Sequence, residues 1–150
     1  MAGRAREVDG LKLGYRVVTT GRTLRLPILE KVEWLYGGPV AFERRLTVEL
    51  SDGHVDLLVG ARCAVGRRHE ELLERAVNQW VGYPVAAQPA AIEEAAVPML
   101  RAILKRILIQ VSREDLKKDG DKVEDLVRRD IDEELWQLGL ELKTLSLETV

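Results

Sequence analysis

The 150-residue sequence predicts an α+β fold, with helices packed on one face of a mainly antiparallel sheet and a C-terminal strand returning to that sheet. Three observations carry the prediction. Period-two alternation is concentrated before residue 66, and helical periodicity fills most of the chain after residue 69. Gly139 then turns the last helical pattern into a strand pattern.

That closing stretch is the most informative. Val123, Val127, Ile131, Leu135 and Leu138 recur every three or four positions and grease one face of a helix. Gly139 stands where such a helix needs a left-handed residue to stop. Leu140 and Leu142 then alternate, as do Leu145 and Leu147, while the out-of-step pair Lys143 and Thr144 predicts a bulge. The strand is expected beside an earlier hairpin, with the helix covering the sheet.

From the start, residues 1–14 are charged and glycine-containing and read as a flexible leader. A first subregion, 15–43, holds short strands at Tyr15 to Thr20, Thr23 to Pro27 and Lys31 to Tyr36, before Gly37, Gly38 and Pro39 break the chain. The core subregion is expected over 44–150. It opens with the strongest local signal: Arg45 to Leu50 alternates, Asp52-Gly53 is a hairpin turn, and Val55 to Val65 returns. Arg44 and Arg45 are expected outside this hairpin or at its edge, and Gly60 to mark a bulge.

From His69 the period becomes helical, with Leu72, Leu73, Ala76, Val77 and Trp80 inward and Gly82 ending the run. Residues 83–89 read as a linker. A long helix follows from Ala90 to about Gln110, and Pro98 inside it predicts a kink or a delayed start. Ser112 with Asp115 three positions on is an acidic capping box, and Lys117 to Gly120 breaks the chain before the last helix.

Composition narrows the function classes. Apolar residues make up 46% and charged residues 32%, as in ordinary globular chains. A net charge of −2 gives no electrostatic argument for nucleic acid. A lone cysteine cannot close an internal disulfide, which fits a reducing compartment. The first residues lack the apolar core of a signal peptide, and the longest uncharged run, Val81 to Ile92, is interrupted by Pro84 and Pro89.

No catalytic, cofactor-binding or metal-binding residues are expected. His54, His69 and Cys63 are the obvious ligands or nucleophiles, and no two share metal-ligand spacing. The glycines match no nucleotide loop, and the paired glutamates at 93–94 and 133–134 read as solvated helix faces. The basic residues Arg101, Lys105, Arg106, Arg113, Lys117 and Lys118 have two main readings, beside a third as a site for anionic lipid headgroups or nucleic acid. They form a solvated face, or all but Arg113 are candidate contacts to an acidic neighbouring subunit. Trp34, Leu35 and Tyr36 likewise have two: sheet packing, or an amphipathic tip facing a membrane interface.

Several motifs in order resemble the SPFH or band 7 domain of stomatins, prohibitins, flotillins and regulators of membrane-bound AAA proteases, with flotillins nearest. Residues 17–30 are similar to its opening strand and proline stretch, and Leu46 to Val65 to its paired strands. Ala76, Trp80 and Gly82 resemble the alanine–aromatic–glycine end of its first helix, and Leu100 to Ile103 the signature of its long helix. Ser112 to Leu116 and Leu138 to Leu142 resemble its capped turn and its glycine-to-strand closure. The family's long helix is usually continuous, whereas Pro98 falls inside it here.

The resemblance implies a non-catalytic, membrane-associated scaffold that self-assembles as a homo-oligomer and organises membrane microdomains or partner proteins. It implies contact with the membrane through a segment outside this chain, on the cytoplasmic side, or a cytoplasmic protein if the chain is complete as given. The alternative is a monomeric interaction module that regulates a membrane protein or protease. No cofactor and no nucleic acid are expected.

Overall fold

The computed structural model describes residues 2–8, 11–18 and 30–150, with side chains from Trp34 onward. Strands β1 (Ala2–Val8), β2 (Leu11–Val18) and β3 (Glu30–Trp34) form one antiparallel sheet in the order β2-β1-β3. The expected leader is therefore strand β1 and the start of β2, paired from Ala2↔Val18 to Val8↔Leu11. Arg4, Arg6 and Glu7 masked this from a composition argument, because charged residues read as solvated chain although any residue can join a ladder through its backbone. The expected strand at Thr23 to Pro27, and most of the 17–30 stretch, lie outside the described residues.

The second sheet holds the core. β4 (Val40–Leu50) and β5 (Gly53–Val65) form the expected hairpin, and β6 (Leu140–Thr149) pairs antiparallel with β5, giving the order β4-β5-β6. β4 begins at Val40, so Arg44 and Arg45 lie in mid-strand opposite Val59 and Leu58, rather than outside it. The charges of Glu43, Arg44 and Arg45 hid the alternation of Val40, Phe42, Leu46, Val48 and Leu50, all of which are buried. Gly60 sits in unbroken register with both neighbours. Its need is space: an added Cβ would lie 2.9 Å from Ser146 Oγ.

The bulge lies where Lys143 predicts it. Arg62 pairs with Thr144 and Cys63 with Leu142, so Lys143 is the extra residue. Asp132 Oδ1 accepts the Leu142 N–H at 3.0 Å.

Helices α1 (Glu70–Trp80), α2 (Gln88–Leu108), α3 (Arg113–Lys118) and α4 (Gly120–Trp136) pack against this sheet. They cover one face, since buried and exposed residues alternate along β4 and most of β5. α1 buries Leu72, Ala76, Val77 and Trp80. A short 3-10 turn, Val85–Ala87, precedes α2, which starts at Gln88 with Pro89 in its first turn, where a missing N–H costs nothing. α2 runs through Pro98 without a delayed start; Pro98 is exposed, and the buried stripe of Ile92, Ala96, Leu100, Ile103, Leu104 and Leu108 passes beside it.

Ser112 caps α3 through the Asp115 N–H at 3.1 Å, and Asp115 accepts from the Ser112 N–H. The hairpin turn is clasped at the same place: the Ser51 N–H donates to Val111 O, and Asp52 Oδ1 accepts the Arg113 N–H.

Val123, Val127, Ile131 and Leu135 of α4 are buried. Gly139 has φ +76°, and a Cβ there would lie 2.3 Å from Ala76 N and 2.4 Å from Leu72 O, both backbone atoms of α1. Its own carbonyl accepts the Gly66 N–H at 3.0 Å. Gly139→Ala should therefore cost on the order of 3 kcal/mol in urea unfolding. Gly82→Ala, with open space around it, should change stability by less than about 1 kcal/mol. Equal effects at the two glycines would contradict this packing.

Candidate functional site

The structure splits the basic run into separate environments. Arg106 is committed to Asp130 of α4 at 2.8 Å, and Lys118 to Glu114 at 3.3 Å. Lys117 is exposed beside the C-terminal end of β6 and the His54 end of β5. Arg101 and Lys105 stand one turn apart on α2 and are both exposed. Among the described residues neither has an ion-pair partner. Together with Arg45 and Thr47 they line an open groove between α2 and the outer edge of β4. The groove continues past Arg101 toward Val97 and Pro98, and there Arg44 pairs with Glu93. Arg44 stands two residues from both Phe42 and Leu46, so it shares their face on the helix side of the sheet, which explains why it finds a carboxylate on α2.

Trp34, Leu35 and Tyr36 do not act together. Leu35 is 1% exposed and belongs to the core, which corrects its assignment as membrane-facing. Tyr36 is half-buried, with its hydroxyl donating to Pro39 O at 3.3 Å. Trp34 is 59% exposed, so sheet packing does not account for it.

The residue that organises this corner is one that sequence reasoning assigned to a linker. Gln88 is 0% exposed, and every hydrogen bond of its side chain goes to backbone. Its Nε2 donates to Trp34 O at 2.8 Å and to Tyr83 O at 3.1 Å, while Oε1 accepts the Tyr36 N–H at 2.7 Å. The amide thereby ties the end of β3 to the loop before α2, which carries exposed Tyr83 and Val85. In sequence Gln88 is a single polar side chain within Val85-Ala-Ala-Gln-Pro-Ala-Ala, which by itself reads as a solvated loop residue, so its role shows only in the contacts it makes.

The three reactive side chains are not brought together. His54 faces the open side of the sheet near Glu49, 3.8 Å away. Cys63 lies nine positions along the same strand, roughly 30 Å away, and on the opposite face. His69 precedes α1, with Nε2 3.2 Å from Glu141 Oε1 and its ring 5.2 Å from that of Trp136. Among the described residues no group of three His, Cys, Asp or Glu is placed to hold a metal.

Cys63 is fully buried, and burial pushes its thiol up to about 11, away from the reactive thiolate. An aromatic disulfide reagent at neutral pH should therefore label Cys63 only on unfolding; rapid labelling of the folded chain would contradict its burial. The raised value favours the folded state below about pH 9, and that contribution fades as pH rises toward about 11. Cys63→Ala should flatten this alkaline loss of stability relative to the parent chain. Gln88→Leu should cost about 2–4 kcal/mol by thermal or urea unfolding, since it strands the Tyr36 N–H and two carbonyls.

Compared with known proteins, the chain matches no protein-family model and no curated protein.

Proposed function

We propose that the chain is a non-catalytic, flotillin- or stomatin-like scaffold domain that rests on the cytoplasmic face of a membrane and self-associates to organise partners there. The observation that carries this reading is the exposed corner held by Gln88: Trp34, Tyr83 and Val85 are 59%, 49% and 43% exposed. Trp and Tyr are the side chains favoured at the boundary between headgroups and acyl chains. No helix among the described residues is long and apolar enough to cross a membrane, so contact of this kind lies on the surface.

A tip of three side chains gives weak attachment, and many copies acting together give strong attachment. Self-association and membrane contact therefore support one another. Arg101 and Lys105, which have no partner within the described chain, are available to carboxylates of another molecule.

The open edge of β4 favours a second reading, an interaction module that holds one protein partner as a monomer. Light scattering across a concentration series separates the two. Growth in mass supports the scaffold, and a constant monomer supports the module.

Sedimentation with vesicles of phosphatidylcholine and phosphatidylserine tests the membrane contact. The parent chain should pellet with vesicles, and Trp34→Ala combined with Tyr83→Ala should reduce the pelleted fraction severalfold. Equal pelleting of both proteins, or none by the parent, would overturn the membrane contact.

A further inference from the structure

The two edges of the β4-β5-β6 sheet are treated differently. Along β6, helix α4 reaches over the free edge: Asp132 takes the Leu142 N–H, and Arg128 donates to Leu145 O at 3.2 Å. Along β4 no comparable cover exists among the described residues. Leu50 and Gly53 flank the two-residue hairpin turn and are a hydrogen-bonded pair, so bonding to β5 falls on the even-numbered residues of β4. Ala41, Glu43, Arg45, Thr47 and Glu49 consequently aim their backbone N–H and C=O groups outward. Among the described residues, only the Glu43 carbonyl of this set is engaged, by Arg44 Nη1 at 2.9 Å.

The groove beside this edge carries the cations described above. Arg101 and Lys105 overlook it from the helix side, and Arg45 from the open face. Each is without an ion-pair partner among the described residues. An occupant has to satisfy unpaired amides and unpaired cations at once. A second β4 in antiparallel pairing would meet the amides but bring the Arg101 and Lys105 of both copies to one seam. Helix α4 of another copy, with seven carboxylates against three cations, would meet the cations and leave the amides unpaired. An extended, acidic segment meets both.

We infer that the outer edge of β4 accepts an extended acidic segment of a partner protein as a fourth strand, its carboxylates paired with Arg101 and Lys105. This deepens the interaction-module reading and stands apart from the membrane contact. The backbone ladder supplies binding, and carboxylates at alternate positions, turned toward α2, supply selectivity. Like charge along the groove also keeps two copies from pairing edge to edge, so the same residues admit one class of strand and repel another.

The test uses the full chain and a fluorescent synthetic peptide of alternating Val and Glu, about seven residues long. Three controls accompany it: a Val/Lys peptide, a Val/Glu peptide with one central Pro, and the protein variant Arg101→Glu with Lys105→Glu. By fluorescence anisotropy the Val/Glu peptide should bind saturably. The Lys peptide, the Pro peptide and the variant should each lose about tenfold or more in affinity. Amide hydrogen exchange should slow at Arg45, Thr47 and Glu49 on binding and stay unchanged at Leu46 and Val48.

Absence of saturable binding overturns the inference. Equal binding by the Pro peptide would mean that charge alone acts, and overturns the strand pairing. Protection of the Arg45, Thr47 and Glu49 amides in the protein alone, rising with its concentration, would place a second copy on the edge and overturn the choice of partner. Loss of vesicle pelleting on Trp34→Ala with Tyr83→Ala leaves peptide binding untouched, so the two surfaces are judged separately.

Discussion

The architecture depends on a close approach between Gly139 and the backbone of α1. Where the chain leaves α4 for β6, its α-carbon lies against Ala76 N and Leu72 O, nearer than any side chain permits, and its φ is one that L residues rarely adopt. That single contact fixes three things together. It stops α4, sets the direction in which β6 enters the sheet, and seats α1 over the junction. Trp80 Nε1 donates to Leu138 O and Arg75 Nη1 to Trp136 O, which also accepts the Gly139 N–H, so α1 adds hydrogen bonds to the carbonyls between α4 and β6. The Gly66 N–H on Gly139 O then anchors the last strand to the end of the strand beside it.

Much of this was legible in residue pattern. The hairpin around Asp52 and Gly53, the Ser112 and Asp115 box, the α4 stripe, the Gly139 stop and the irregularity at Lys143 are local signals, and local geometry honours them. The turn itself falls one residue earlier than expected, at Ser51-Asp52, with Gly53 opening β5. What escaped reading depends on contacts distant in sequence. Arg44 looks like a surface residue until β4 and α2 meet and Glu93 comes within reach. The strand character of Ala2–Val8 lies in backbone pairing, to which its charged side chains offer no clue. Gln88 looks like loop because its three partners lie at Trp34, Tyr36 and Tyr83.

The candidate surfaces were legible only as an inventory. Sequence grouped six cations into one run, and folding divided them by the company each keeps. Arg106 is spent on α4, Lys118 on its own helix and Arg113 on the hairpin turn, where Nη2 donates to His54 O at 2.9 Å. Among the described residues, only Arg101 and Lys105 of this set remain side by side without an ion-pair partner. Likewise, of Trp34, Leu35 and Tyr36, one is outside, one is in the core and one is between. Alternation along an extended chain separates neighbours, so consecutive aromatic and apolar residues rarely share a surface.

The extra residue in β6 has a consequence for how that strand tolerates change. Leu140 and Leu142 look toward the helices opposite Val65 and Cys63, and Leu145 and Leu147 do so opposite Ala61 and Val59. The inward set passes from even to odd positions across Lys143, as though the strand were spelled in two reading frames. The frame is therefore set by how many residues stand between Leu142 and Leu145: one fewer would remove the bulge and leave all four leucines inward in plain alternation, whereas one more must widen the bulge or turn half of the strand inside out.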